Sequence, residues 1–207
     1  MPIVEPSLPP EATHLSQSDA CIGDDGTREL CARLAHHANL TSLDLRGCQI
    51  HAAGAAAIAA LLLHQSGPPI ATLSLEWNNI GTSDAGPKAL AAALATSRSL
   101  SRSVVYPSPN PSPNPNRNRN RNRNADPRPN PSPNLPSYPS SLDLRNNHLG
   151  PTAVAALADG IARSATLRSI DLRWNAAGAP GGHALEQALK GNHTMLRAQL
   201  SGNRAPA

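Results

Sequence analysis

The side chains that most often carry out catalysis or bind metals form no recognisable motif in this sequence. Its eight histidines include the neighbours His36 and His37 and the separate His183, with no carboxylate motif beside them. No His-Glu-x-x-His, Cys-x-x-Cys, Gly-x-Ser-x-Gly or Walker A motif occurs. The acidic pair Asp24-Asp25 is more typical of a helix start than of a metal site. We therefore assign no catalytic, metal-binding or cofactor-binding residue, and we predict that the chain is not an enzyme and has no small-molecule substrate.

Charged and aromatic side chains recur at regular intervals and could contact a protein partner. Outside residues 101–139, an acid and an arginine stand two residues apart three times, and each of the two tryptophans directly follows a charged residue. Aromatic residues and arginine are enriched in the hot spots of protein interfaces. Alternatively, the charged side chains could pair with one another across a solvated sheet, and the tryptophans could pack against each other or against a turn. The candidate partner-binding residues are Asp44, Arg46, Glu76, Trp77, Asp143, Arg145, Asp171, Arg173 and Trp174.

Charge and cysteine content limit the classes of function. The 207 residues carry a net charge of +4, but residues 101–139 alone hold six arginines and a single acid, Asp126. The remaining 12 basic and 13 acidic residues give a net charge of −1, so nucleic-acid binding is not expected and membrane binding is not predicted. The three cysteines lack the spacing of a disulfide framework, the N-terminus does not resemble a signal peptide, and no apolar run is long enough to span a bilayer. These features predict a cytoplasmic protein.

A regular spacing of leucines predicts the elements that position these side chains. The pattern Leu-x-x-Leu-x-Leu-x-x-Asn/Cys-x-Leu fits from residues 40, 70 and 167, and in worn form from residues 12 and 195. Residues 142–149 fit a further copy, whose first position is Pro139, or Leu100 if residues 101–139 are removed. The intervals between starts are then 28, 30, 30, 28 and 28 residues. A near-constant period of this kind predicts a stack of similar units.

Each copy of the pattern predicts a short strand followed by a helix. The alternation in Leu-x-Leu places the leucines on one face of a strand. Apolar residues three and four apart follow, as at Ile58, Leu61 and Leu62, and predict a helix. We therefore predict an α/β leucine-rich-repeat solenoid of the ribonuclease-inhibitor type, with about six repeats. Its parallel sheet would form the concave face, which would present the candidate residues to a protein partner, and its helices the convex face. The alternative is an ordinary α/β domain with fortuitous leucines.

The domain boundaries follow from the repeats. We predict a disordered N-terminus at 1–11, the first half of the repeats at 12–100, an insert at 101–139, and the second half of the repeats, uncapped, at 140–207. The insert is of low complexity, alternating Pro, Ser, Asn and Arg, and is expected to be disordered because it has little to bury. It could be an expanded DNA repeat or an intron read as coding sequence, or its arginines could bind phosphate or an acidic partner. Deleting it should preserve the circular-dichroism signal and sharpen the unfolding transition.

Four phrases resemble the N-terminal repeat domain of the leucine-rich repeat-containing protein 45 family. They are found at residues 73–82, 141–147, 171–175 and 181–185, in the order of that family. In that family the repeat domain precedes a long coiled coil, and the protein is a component of the fibrous linker between centrioles and takes part in cilium assembly. The resemblance covers about 14–203 apart from the insert. It implies a docking or scaffold role and a place at the centrosome or cilium base.

Three functions are compatible with this sequence. The first is a non-enzymatic protein-interaction scaffold. The second is a regulator of a GTPase, since Ran GTPase-activating proteins use a similar repeat stack; it requires an exposed catalytic asparagine or arginine on one rim. The third is a truncated fragment of a longer coiled-coil protein, because the last repeat lacks a capping unit and heptads do not follow it before Ala207.

Overall fold

Helices and strands alternate along the chain, as the repeats predict. The computed structural model describes residues 8–103 and 139–203, and every structural statement below concerns that part of the chain. None of its helices is both long enough and apolar enough to cross a membrane. A 3-10 turn at Ile80–Thr82 precedes the third helix. The strands are β1 (His14–Ser16), β2 (Ser42–Asp44), β3 (Thr72–Ser74), β4 (Ser141–Asp143), β5 (Ser169–Asp171) and β6 (Arg197–Gln199), and the helices are α1 (Gly23–Leu34), α2 (Ala52–Leu63), α3 (Ala85–Ser103), α4 (Pro151–Arg163) and α5 (Gly178–Gly191).

The six strands form one parallel sheet in chain order, from β1 to β6. Equivalent leucines lie side by side in it, with Leu43 next to Leu73 and Leu73 next to Leu142. Neighbouring strands are about 4.8 Å apart, whereas neighbouring packed helices need about 8–10 Å. The stack must therefore curve, with the sheet on its inner, concave side and the helices on its outer, convex side. The predicted parallel-sheet solenoid with six strands is confirmed.

The apolar core is a continuous layer between the sheet and the helices. Leu40, Leu45 and Ile50 of the second repeat have no exposed surface, and their equivalents in the third, fourth and fifth repeats are buried as well. In the sixth repeat, Met195 and Leu200 are partly buried. Small residues let neighbouring helices approach closely. A Cβ added at Gly160 in α4 would lie 2.5 Å from the carbonyl oxygen of Ala91 in α3. The spacing between these two helices therefore depends on the absence of a side chain at Gly160.

Buried asparagines tie each repeat to the one before it. The Nδ2 of Asn175 donates to the carbonyl oxygens of Leu144, at 2.9 Å, and Leu172, at 3.0 Å. Its Oδ1 accepts hydrogen bonds from the backbone N–H groups of Asn147 and Leu149. The equivalent asparagines in the third, fourth and sixth repeats make bonds of the same kind, and in the second repeat the Sγ of Cys48 donates to a carbonyl at 3.0 Å. These bonds form an asparagine ladder along the stack, and it satisfies backbone groups that would otherwise be buried without partners.

The interruption of the repeats begins later in the chain than the sequence analysis placed it. Helix α3 has 19 residues, against 12 to 14 for the other helices, and it contains Leu100. Pro139 occupies the first position of the fourth repeat and is buried there. A proline is compatible with this position because the inter-strand hydrogen bonds start one residue later, where the N–H of Ser140 donates to the carbonyl of Ala71 at 2.8 Å. Pro139 holds this position in the intact chain, and the alternative with Leu100 concerns a chain without residues 101–139 and stays a prediction. Most of the predicted insert, residues 104–138, lies outside the described part.

The N-terminal boundary also differs from the prediction. The backbone of residues 9 and 10 is bonded to the first repeat: the N–H of Ala12 donates to the carbonyl of Pro9 at 2.9 Å, and the Nδ2 of Asn39 donates to that of Pro10 at 2.8 Å. Leu8 packs against the core. Disorder was therefore predicted wrongly for residues 8–11, because polar groups after α1 bind their backbone. Residues 1–7 lie outside the described part.

Candidate protein-binding face

The concave face carries its outward side chains in three rows that run across all six strands. The first row, here called the strand row, consists of the last residue of each strand, which the register of the sheet aligns. The residues two positions further along the chain form the charged row, and those three positions further form the turn row. In order from β1 to β6, the strand row is Ser16, Asp44, Ser74, Asp143, Asp171 and Gln199, the charged row is Ser18, Arg46, Glu76, Arg145, Arg173 and Ser201, and the turn row is Asp19, Gly47, Trp77, Asn146, Trp174 and Gly202.

Arg145 is the centre of a charged network in the middle of this face. Its Nη2 donates to Oε2 of Glu76 and to Oδ2 of Asp143, both at 2.7 Å. Its Nε lies 3.6 Å from Oδ2 of Asp171. The guanidinium therefore bridges three carboxylates from three neighbouring repeats. The hydrogen bond to Asp143 makes the largest contribution to raising the pKa of Arg145, against the opposing effect of burial.

Arg173 repeats part of this arrangement one strand further along. Its Nη2 donates to Oδ2 of Asp171 at 2.7 Å, and its Nε lies 3.0 Å from the same carboxylate. This bond raises the pKa of the guanidinium. The side chains of Arg145 and Arg173 are 29% and 33% exposed, so both remain accessible to a partner while bonded to carboxylates. The network holds these charges in fixed positions.

Asp44 has a different environment from the other strand-row carboxylates. Its Oδ2 accepts a hydrogen bond from the Oγ of Ser18 at 2.7 Å and a longer one from Ser16, while the N–H of Arg46 donates to its Oδ1. Burial favours the protonated form, but the hydrogen bonds outweigh it and lower the pKa of Asp44. The Arg46 guanidinium points away, to Asp19 at 3.4 Å. Within the described residues, Asp44 is therefore an anion without an ion-pair partner.

The two tryptophans stand at equivalent positions in the turns that follow β3 and β5. Both are well exposed, at 61% and 62%, and both have a positive φ, 56° for Trp77 and 58° for Trp174. This left-handed conformation is uncommon for bulky residues. The backbone N–H of Trp174 donates to the carbonyl of Ser201 at 3.0 Å, and a Cβ added at Gly202 would lie 2.6 Å from the indole ring, which therefore rests on that glycine. The tryptophans do not pack against each other, because Asn146 separates them in the turn row.

The structure brings most of the candidate residues together, but not all. One network contains five of them, Glu76, Asp143, Arg145, Asp171 and Arg173. Its charged side chains pair across neighbouring strands, and they remain partly exposed to a partner. The other four candidates lie outside that network: Asp44 is bonded to serines, Arg46 to Asp19, and both tryptophans project from the turn row.

Sequence reasoning missed Ser16, Ser18 and Asp19, which complete the polar surroundings of Asp44 and Arg46. They were missed because the first repeat matches the leucine pattern poorly. Alignment by the 28-residue period would have placed Ser18 next to Arg46 and Asp19 next to Gly47. No group of three or more histidines, cysteines or acids in the described residues is placed to hold a metal ion.

Comparison with known proteins supports the repeat architecture. Residues 36–59 and 140–158 match the family model described as "Leucine Rich repeat". The solved structure of "Leiomodin-1 Actin-Binding Site 2 (ABS2)" is similar to this chain with a TM-score of 0.56 and 16% sequence identity, over 88% of this chain and 81% of that one. At this identity the likeness concerns the fold alone. The stacked strand-helix units, the asparagine ladder and the family-model matches together identify the fold as an α/β leucine-rich-repeat solenoid.

Proposed function

We propose that this protein is a non-enzymatic scaffold that binds other proteins through its concave face. The observation that carries the proposal is the Arg145 network, in which charges from three repeats are held in place and remain partly exposed. Groups that are already ordered lose little conformational freedom when a partner binds. The exposed tryptophans next to this network supply the large aromatic surface that interface hot spots use.

We further propose that the scaffold works in the cytoplasm, at the centrosome or cilium base. The sequence resemblance to the leucine-rich repeat-containing protein 45 family supports this placement. The actin-binding domain of leiomodin-1 has the same fold, so purified actin is a reasonable first protein to test in solution. The GTPase-regulator alternative stays a prediction from the sequence.

A pair of matched variants tests the proposal. Thr72→Arg adds a long cation to an exposed position of β3 on the concave face, and Ala92→Arg adds the same side chain to an exposed position of α3 on the convex face. Both variants should keep the wild-type circular-dichroism spectrum. Tagged forms are expressed in ciliated cells, and recruitment to a centrosomal marker is measured. Proteins captured with the wild type are then purified and titrated against all three forms.

The proposal predicts that Thr72→Arg reduces recruitment and weakens binding to the purified partner at least about tenfold, equivalent to 1.4 kcal/mol, while Ala92→Arg changes neither. Equal effects of the two variants would show that the concave face is not the binding surface. Normal partner binding without centrosomal recruitment would remove the proposed location and keep the scaffold role.

A further inference from the structure

The turn row contains two exposed indoles at a fixed separation. Trp77 and Trp174 are two strand positions apart, so their backbones are separated by about 9–10 Å along the stack. The row carries Asn146 between them, and glycines at Gly47 and Gly202 beyond them on either side. Two bulky aromatic side chains thus stand out from a row of smaller residues.

All six residues of the turn row have a positive φ, so the left-handed backbone belongs to the turn of every repeat and not to the tryptophans alone. Gly47 and Gly202 have the same positive φ in the same row, and glycine adopts this conformation without steric cost. A tryptophan in its place is strained and is mostly exposed to solvent. Strained, exposed residues that recur at one structural position are typical of binding surfaces.

The spacing of the backbones at Trp77 and Trp174 matches the repeat of a polyproline II helix. A polyproline II helix has three residues per turn and rises about 3.1 Å per residue, so prolines three residues apart present their rings on one side about 9.3 Å apart. Proline-rich segments bind aromatic-lined surfaces in this way, and they lose little entropy because the helix is preformed. The separation of Trp77 and Trp174 accommodates two such prolines on a segment that runs along the turn row.

The charge on the concave face favours a basic flank on this segment. The three rows and Arg197 together hold five acids and four arginines, a net charge of −1. Among these five acids Asp44 is the one without an ion pair, and it lies one strand beyond Trp77, on the side away from Trp174. A lysine or arginine that follows the proline bound at Trp77 would approach this carboxylate.

We propose that Trp77 and Trp174 bind a proline-rich segment of a partner protein in the polyproline II conformation, with Asp44 receiving a flanking basic side chain. This inference rests on the proposed scaffold function and names the chemistry of the partner. Each indole contacts one of two prolines that lie three residues apart. The Asp44 carboxylate determines that the basic residue stands at the end of the segment next to Trp77.

The two tryptophans make the site directly measurable, because they are the only ones in the chain. With excitation at 295 nm, their emission reports on the site during titration of the full chain. The probe is a synthetic peptide of nine prolines flanked by two arginines, and the control peptide replaces the prolines with alternating glycine and serine. We expect a saturable change in emission with the proline peptide and no saturable change with the control.

Three variants locate the binding. Trp77→Gly and Trp174→Gly each copy the residue found at Gly47 and Gly202, which suits the positive φ, so both variants should keep the wild-type circular-dichroism spectrum, while calorimetry shows at least a tenfold loss of affinity. Asp44→Asn should weaken the arginine-flanked peptide about threefold to tenfold and leave a nine-proline peptide without arginines unchanged. Asp25→Asn, on the highly exposed Asp25 of α1, is the charge control and should change neither.

Three results would overturn the inference: no saturable binding of the proline peptide up to about 1 mM, equal binding of the flexible control peptide, or unchanged affinity in both tryptophan variants. Its failure is distinct from that of the scaffold proposal. If the Thr72→Arg variant loses a purified partner but the wild type does not bind the proline peptide, the concave face binds proteins of another kind.

Discussion

Replacement of Arg145 by methionine tests whether the charged network stabilises the fold. Methionine keeps most of the apolar stem but removes the guanidinium that bonds Glu76 and Asp143. A hydrogen bond to a charged group contributes about 1.5–3 kcal/mol, and because the Arg145 side chain is 29% exposed, solvent reduces that contribution. The hydrogen bonds to these two carboxylates and the weaker contact with Asp171 therefore predict that Arg145→Met lowers the free energy of unfolding by about 2–4 kcal/mol.

The matched control is Arg163→Met in α4. Arg163 pairs with Asp159 one turn earlier on the same helix, and its side chain is 52% exposed. An exposed pair of this kind contributes about 0.5 kcal/mol or less. Urea unfolding of both variants, followed by circular dichroism at constant salt, compares a bridging arginine with a surface arginine.

A mutant cycle separates the charges from the packing of the stem. In a background that carries Glu76→Gln and Asp143→Asn, the further change Arg145→Met should cost at least about 1 kcal/mol less than in the wild type, because two of the carboxylates that need the guanidinium are gone. If Arg145→Met costs no more than Arg163→Met, or if the neutral background leaves its cost unchanged, the network does not stabilise the fold.

Three further predictions concern the ladder, the helix spacing and the thiols. Asn147→Ala leaves buried backbone groups without partners and should lower the free energy of unfolding by about 2–4 kcal/mol. Asn147→Cys, which copies Cys48, should lower it by less, and equal losses of stability in urea unfolding would contradict this prediction. Gly160→Val forces a side chain against the backbone of α3 and should cost at least about 1–3 kcal/mol; an unchanged melting temperature would show that the helices can separate freely. Iodoacetamide at pH 8 should modify the exposed Cys21 and spare the buried Cys31 and Cys48, because burial raises their pKa values to about 12 and about 11 and keeps both thiols protonated. Mass spectrometry should find one adduct in buffer and three in urea, and three rapid adducts in buffer would contradict this prediction.

The period of the leucines was enough to predict the order of the elements and the residues of the concave face. A strand of three residues has one inward side chain, so Leu43 and Leu73 define the register of the strands on which they lie. The position of the ladder was visible for the same reason, because asparagine returns at one position of the last four repeats and cysteine stands there in the second.

Side-chain partners were not predictable from the period. Arg46 and Arg145 occupy equivalent positions, yet Arg46 bonds Asp19 and Arg145 bonds Glu76 and Asp143, because different neighbours surround them in the charged and turn rows. The alignment of Trp77 with Gly47 did contain a signal, since a glycine at the equivalent position indicates a positive φ. The end of α3 could not be read from the pattern, because a helix can continue past the length of its neighbours into an insertion.

The unequal spacing of strands and helices fixes the size of the hollow that faces a partner. Strands about 4.8 Å apart and helices about 9 Å apart, in layers separated by about 10 Å, turn the stack by roughly 24° per repeat. The corresponding radius at the sheet is about 11 Å, so the hollow is about 22 Å across between backbones, which leaves room for one α-helix of 10–12 Å diameter between the side chains that line it. A single helix or an extended segment can enter this hollow, whereas the flat side of a globular domain meets only its rims. The thickness of a partner therefore decides whether it can reach the concave face, before any side chain on that face contributes to specificity.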